Sequence, residues 1–377
     1  MSEQQSVALQ LAVQLMRRES PTPDDGNCQL FIARKLAPLG FVQVSVNVGG
    51  ITNSIYAREG EKEGVLAFAG HTDVVPTGPV EAWDFPPFDA VVQDGILHGR
   101  GAQDMKGGIA CWMAAVMQLC STFEPLPTLQ ILITSDEEGD SVDGTVRIVE
   151  YLQAENKLPD AVIVGEPSSS KQVGDVIRRG RRGVVQVAMT FNGKQGHSAY
   201  PDDADNAIHQ AMQPLADIAS IDWGEAVDGF PATSCQITNL NAGTGATNVI
   251  PGVAETFLDI RYNPTNSFEA IQARIQQCCE GVDVNLDFRH EAQVFSTPDG
   301  KFLDMVCDAI QSTTGITTNR DTGGGTSDGR FLAAAGVPVA ELGLTNSTIH
   351  QVNEQVAVHE LDILTDIYTK IITTFEA

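Results

Sequence analysis

Basic residues are scarce in this chain: 23 Lys and Arg stand against 49 Asp and Glu, for a formal charge of -26. So acidic a surface repels phosphate backbones and anionic lipid, which argues against nucleic acid and membrane partners. Positive charge gathers in one run, RRGRR from Arg178 to Arg182, so a small anionic substrate stays compatible with the composition. Cysteines are few and scattered, at Cys28, Cys111, Cys120, Cys235, Cys278, Cys279 and Cys307. Without a C-x-x-C pair they read as buried thiols of a reducing compartment rather than a zinc knuckle or redox centre. Long apolar runs are lacking too. The longest uncharged segment, Gly107 to Phe123, is short for a membrane span and includes polar residues. The first residues set apolar side chains at helical spacing among Gln and Arg, without the continuous apolar core of a signal peptide, and a cytoplasmic protein is the expectation. There is no internal repeat and no low-complexity tract. The phosphate-loop pattern G-x-x-x-x-G-K-[ST] is absent, so the glycine-rich GTGATNVIPG and DTGGGTSDGRF read as backbone donors for carboxylate or oxyanion groups.

At 377 residues and 42% hydrophobic content, the chain can bury two cores. Continuous apolar runs at 41–48, 65–71, 129–136 and 161–166, interleaved with helical patterns such as Gly107 to Leu119, predict an α/β domain on a largely parallel sheet. From residue 182 the pattern changes to alternation, and the order of elements reads β-α-β-β-α-β, the ferredoxin-like arrangement. After about residue 293 a helix (302–313), an apolar strand (337–344) and a last helix (360–375) restore the first style. The expected division is a discontinuous domain of 1–181 and 294–377 with an insert of 182–293.

The candidate strands of the first domain end in acid or imidazole: His71 and Asp73, then Asp136, Glu137 and Glu138, then Glu166. In α/β sheets the carboxyl ends of the strands line the ligand crevice, so these groups can converge. Asp104 in GRGAQDMKGG and His350 in STIHQVNE are placed to join them. Singly, an acid after a strand caps a helix and a histidine packs in a core; such groups at several strand ends are hard to explain by capping. Two imidazoles and several carboxylates without sulfur suit zinc or a similar borderline metal, and the surplus of carboxylates suggests two ions. If Asp104 bridges, His71 and Glu166 hold one ion, Glu138 and His350 the other. His71 and Asp73 lie two apart on an extended strand, which predicts that the Asp73 carboxylate accepts the other ring N–H of His71. Glu137 is the candidate general base. His197, in GKQGHSAYP, could donate to a developing oxyanion, and Arg181 or Arg182 with Arg261 could pair with substrate carboxylates.

Taken together, GHTDVVPTG, GRGAQDMKGG, SDEEG, VGEPS, GKQGHSAYP, NVIPG, GGTSDGRF and IHQVNE resemble the di-zinc aminoacylase and carboxypeptidase family, from about residue 5 to the C-terminus. The resemblance implies His71, Asp104, Glu138, Glu166 and His350 as ligands of two zinc ions per subunit, with cobalt able to substitute. It implies Asp73 and Glu137 as catalytic acids, and His197 on a lid that reaches the partner's site in a homodimer. Arg181, Tyr200, Asn248, Arg261, Gly325, Thr326 and Asn346 fall at or beside its substrate contacts, and the bond after Asp104 is implied to be a cis peptide. Thr247 and Gln355 depart from the family pattern, which usually has Asn and often Cys there. The implied reaction is amide hydrolysis of N-succinyl-LL-2,6-diaminopimelate to succinate and LL-diaminopimelate. Alternatives are another N-acyl amino acid such as N-acetylornithine, a dipeptide, or a catalytically silent binding protein on the same fold.

Overall fold

A computed structural model describes residues 5–122 and 124–377. They form two compact units. One comprises the chain up to Gly180 with Ser296–Asp321 and Ser327–Ala377, the other Arg181–Phe295 with Thr322–Thr326. The segment Thr322–Thr326 thus groups with the second unit, whereas the sequence reading kept all of 294–377 with the first.

The first unit is built on an eight-stranded sheet. Its order is Val42–Ser45, Ser54–Arg58, Thr128–Thr134, Val65–His71, Ala161–Val164, Val339–Glu341, Val176–Arg178, Asn319–Asp321. The four central strands run parallel, and antiparallel pairs flank them. Val65–His71 is apolar along nearly its whole length because both of its faces are covered. Phe68 stacks on Trp112 of the helix Lys106–Cys120 at 4.9 Å, and Trp112 meets Tyr368 of the helix Val358–Thr374 edge-on at 5.1 Å. Burying three such rings anchors both helices to one face of the sheet. Gly108 lets the first helix begin against the end of the neighbouring strand: a Cβ there would lie 2.7 Å from the Gly165 carbonyl oxygen. Parallel register then sets the site. His71 is aligned with Thr134, and Ala161–Val164 ends beside them, so the loops that follow all leave from one edge.

The second unit carries a four-stranded antiparallel sheet in the order Ser234–Ala242, Val253–Tyr262, Gly183–Asn192, Val284–Ala292. This is the ferredoxin-like order. Alternation along Gly183–Asn192 puts Val185, Val187, Met189 and Phe191 on one face, in a common core with Ile271 and Ile275 of the helix Phe268–Cys278 and Ala211 and Ile218 of the helix Ala207–Ala219. Both helices start on side-chain caps: Asn206 accepts from the Ile208 N–H and Ser267 from the Ala270 N–H. Among the described residues no helix is long and apolar enough to cross a membrane, and all seven cysteines are free thiols, three buried and four half-buried.

Candidate active site

The strand Val65–His71 ends at His71, and the chain turns there. The His71 ring is buried, with Nδ1 2.9 Å from the main-chain oxygen of Asp73, whose carboxylate stays 3.6 Å away. A carbonyl oxygen only accepts, so Nδ1 carries a proton, and in the neutral ring Nε2 presents its lone pair outward. The expectation that the Asp73 carboxylate takes the ring N–H is therefore corrected. Extended geometry stops at His71, and the Asp73 side chain turns to accept the main-chain N–H groups of Glu137 (3.4 Å) and Glu138 (3.1 Å) instead. Asp73 thus ties the loop carrying the two glutamates to the end of the neighbouring strand.

The Asp104 carboxylate lies between two imidazoles. Oδ1 is 3.2 Å from His71 Nε2, and Oδ2 is 3.3 Å from His350 Nε2. Glu166 Oε1 stands 3.5 Å from His71 Nε2, and Glu138 Oε1 3.1 Å from His350 Nε2. His350 reaches this position from a left-handed backbone (φ 61), a conformation that costs a non-glycine residue of order 1 kcal/mol or more and persists where surrounding structure imposes it. The Asp104–Met105 peptide bond is cis, as the family resemblance implied.

The electrostatics of the cluster are those of crowded acids around two imidazoles. Burial works against charge on His71, but the adjacent carboxylates of Asp104 and Glu166 outweigh it and hold the imidazole well above its ordinary value. Hydrogen bonds donated to the carboxylates of Asp104 and Glu138 raise His350 to about 10. Burial and the charge of Asp104 push Glu166 up to about 7, and burial with the charge of Glu166 pushes Glu137 well above the usual carboxylate range. Asp104 is buried but held low by the two histidines.

His71 Nε2 and Asp104 Oδ1 are both buried and without a hydrogen-bond partner. In the neutral imidazole, with the proton on Nδ1, each presents only a lone pair to the other, an arrangement that a cation between them relieves. Donor atoms of His71, Asp104 and Glu138 lie within 4.8 Å of one another, as do those of His71, Glu137 and Glu166. A nitrogen and oxygen set of this kind fits a borderline divalent metal.

Asn346 lies in the same unit, its N–H donating to the Ser169 carbonyl at 3.1 Å. The remaining candidates belong to the second unit. His197 pairs with Val249 in a two-stranded ribbon, its exposed ring accepting from the Ala199 N–H at 3.1 Å and lying 5.7 Å from the Tyr200 ring. The Asn248 carbonyl accepts from the Ser198 N–H. Arg261 is paired with Asp259 at 3.0 Å. Arg181 is buried and donates to the Gly323 carbonyl at 2.7 Å, beside Gly325 and Thr326. In the first unit, Arg178 binds Asp321 at 2.6 Å and Arg179 is buried. The basic run is therefore not a solvated face.

Sequence reading passed over several polar groups. Asp328 is buried, accepts from Thr145 at 2.6 Å, and is raised by burial; Glu341 is fully buried and accepts from Ser327. Arg100 and Glu354 form a buried ion pair at 2.8 Å. Both lie inside the motifs GRGAQDMKGG and IHQVNE, and an arginine beside a candidate ligand loop in a chain so poor in basic residues was the available signal.

The chain is a member of peptidase family M20/M25/M40, whose profile matches residues 67–374. It is 45% identical over 374 residues to the succinyl-diaminopimelate desuccinylase of Thioalkalivibrio sulfidiphilus, covering 97% of this chain and 98% of that one. A protein of the same name from Hahella chejuensis is 45% identical over 375 residues, with 99% and 98% covered. The fold is shared with the aminopeptidase PepT of Bacillus cereus (TM-score 0.80, 21% identity, 97% of each chain). It is shared as well with a dinuclear metal binding peptidase of Bacillus subtilis (TM-score 0.73, 17% identity, 97% of this chain and 96% of the other).

Proposed function

We propose that the chain hydrolyses the amide of N-succinyl-LL-2,6-diaminopimelate, releasing succinate and LL-diaminopimelate for the synthesis of diaminopimelate and lysine. The observation that carries the reading is the Asp104 carboxylate set between His71 and His350, with Glu137 held above the usual carboxylate range nearby, in a chain 45% identical to proteins named for that reaction.

His71 and Glu166 are the residues to hold one divalent ion, Glu138 and His350 a second, with Asp104 shared between them. Two zinc ions, or cobalt in their place, would supply Lewis-acid polarisation of the succinyl carbonyl and acidify a water molecule. Glu137 takes the proton of the attacking water and returns it to the leaving amine nitrogen, a role suited to a carboxyl that burial and Glu166 raise above its usual range. Asp73 holds the main chain of Glu137 and Glu138 in place for this task. His197 donates to the tetrahedral oxyanion. Arg181, Tyr200, Asn248, Arg261, Gly325, Thr326 and Asn346 position the anionic ends of the substrate, and for Arg261 this requires exchange with Asp259.

The second unit is the lid and dimerisation domain in this reading. Support comes from its edge strand Ser234–Ala242, which has a sheet neighbour on one side only, and from the exposed side chains of Leu240 (59%) and Met212 (63%) close to it. An unpaired edge beside exposed apolar groups is a liability in a monomer and suits pairing with a second copy. The small soluble substrate is compatible with a cytoplasmic enzyme.

The test is steady-state hydrolysis of N-succinyl-LL-2,6-diaminopimelate after chelation and after zinc is added back, with N-acetylornithine as comparator. Zinc-restored turnover with a clear preference for the succinyl substrate is expected. Preference for N-acetylornithine would overturn the substrate, and absence of metal-dependent hydrolysis the reaction.

A further inference from the structure

We infer that Glu354 is a positioning residue whose carboxylate, paired with Arg100, holds the loops bearing His71, Asp104 and His350 in a single fixed arrangement. Glu354 is fully buried. Its Oε1 accepts from the main-chain N–H of Gln103 (2.8 Å) and of Asp104 itself (3.1 Å). Its Oε2 accepts from the Gly101 N–H (3.0 Å) and from Arg100 (2.8 Å). Four donors fill the four acceptor positions of the carboxylate, so Glu354 is not itself a ligand.

Arg100 extends the same device. It donates to the carbonyl of Gln351, next to His350, at 3.2 Å, and to that of Pro76, in the loop that follows His71, at 3.2 Å. Gln103 adds a second strap: its Oε1 accepts from both the N–H (2.9 Å) and the hydroxyl (2.7 Å) of Thr348, and its amide donates to Thr345 at 3.0 Å. Three segments far apart in sequence therefore meet at one buried ion pair, and each carries a candidate ligand within a few residues of the contact. This acts through the chain rather than on substrate. It also accounts for the left-handed backbone of His350, which lies between the strap at Thr348 and the anchors at Gln351 and Glu354. The inference rests on the metal reading above.

The experiment uses the full chain stripped with a chelator, then titrated with zinc against a chromophoric competitor, and with cobalt followed by its visible absorption. The variants are Glu354→Gln, which sets an amide N–H against main-chain N–H groups, and Arg100→Lys, which keeps charge but cannot fork to three acceptors. Glu354→Gln should weaken zinc affinity about 10 to 100-fold, the usual effect of losing a group that orients ligands, and shift the cobalt spectrum. Arg100→Lys should move both in the same direction, and decides the matter if Glu354→Gln does not fold. Zinc affinity and cobalt spectrum equal to wild type, however low the melting temperature of the metal-free variant, would overturn the inference. A wild-type chain that takes up no zinc would overturn the metal reading and this inference with it.

Discussion

Metal uptake by this site should be strongly pH-dependent, and over a range that ordinary histidines do not reach. In the metal-free chain His350 is raised to about 10 by Asp104 and Glu138, so at neutral pH its ring is protonated and offers no lone pair. Binding an ion there expels that proton, and each proton expelled makes the apparent affinity rise about tenfold per pH unit. An imidazole at the usual value near 6.5 stops competing above about pH 7. Here the competition continues. The offset between about 10 and pH 7 corresponds to about 10³-fold in affinity, and solvent screening of the half-exposed ring reduces this to about 10 to 100-fold. His71, also held well above its ordinary value, must give up a proton as well, and below pH 7 Glu166, raised to about 7, adds a further one and steepens the slope. The assay is zinc competition with a chelator of known pH dependence between pH 6 and 8.5, with proton release checked calorimetrically in buffers of different ionisation enthalpy. An affinity that levels off above pH 7, or uptake without proton release, would refute the electrostatic account. The sign for stability follows. The stabilisation that the raised His350 gives the metal-free chain is complete below its ordinary value of 6.5 and disappears as pH rises toward 10.

Other expectations concern single residues. Glu137→Gln should bind zinc normally and lose about 10² to 10⁴-fold in turnover, as for removal of a general base, and near-normal kcat would place the base elsewhere. Asp73→Asn removes one of two carboxylate acceptors and turns an amide N–H toward the N–H of Glu137 or Glu138. It should destabilise the chain by about 1–3 kcal/mol in denaturant melts and lower kcat more than KM; an unchanged midpoint would contradict the geometry. Mixing inactive His197→Ala subunits with inactive Glu137→Gln subunits should recover activity if the lid histidine serves the partner's site. Mixed dimers without recovery would assign His197 to its own subunit.

What the sequence made legible follows from burial. Val65–His71 and Ala161–Val164 are covered on both faces, so their apolar runs are uninterrupted and easily seen, and the alternation of Gly183–Asn192 marks a sheet with one covered face. Less visible was Ser54–Arg58, a short strand with a serine at one end and an arginine at the other. The run 337–344 reads as one strand, yet only Val339–Glu341 pairs in the sheet. Gly343 passes so close to the main chain of Glu166 that a Cβ would lie 2.3 Å from its carbonyl oxygen, and the segment leaves the ladder to do so. In the site, residue type and motif brought forward His71, Asp104, Glu138, Glu166 and His350. The direction of Asp73 was hidden because it depends on where a strand stops. The partnership of Arg100 with Glu354 was hidden because 254 positions separate them, and no local pattern encodes such a pairing.

The central sheet has an implication for how the chain assembles. Val339–Glu341 lies between Ala161–Val164 and Val176–Arg178, so a strand made near the end of synthesis must enter a sheet begun much earlier. Across an open interruption of roughly 160 residues, that closure carries a substantial entropic penalty. The second unit is contiguous over nearly all its length, and its first and last strands are direct neighbours, with Val184 opposite Ala292. Once folded, it removes about 115 of the roughly 160 residues between Arg178 and Val339 from the flexible loop, which lowers the closure penalty by roughly 1 kcal/mol on the logarithmic dependence for flexible loops. A folded insert therefore shortens the loop that the surrounding sheet must close, and nearly the whole chain must be made before His350 can reach Asp104.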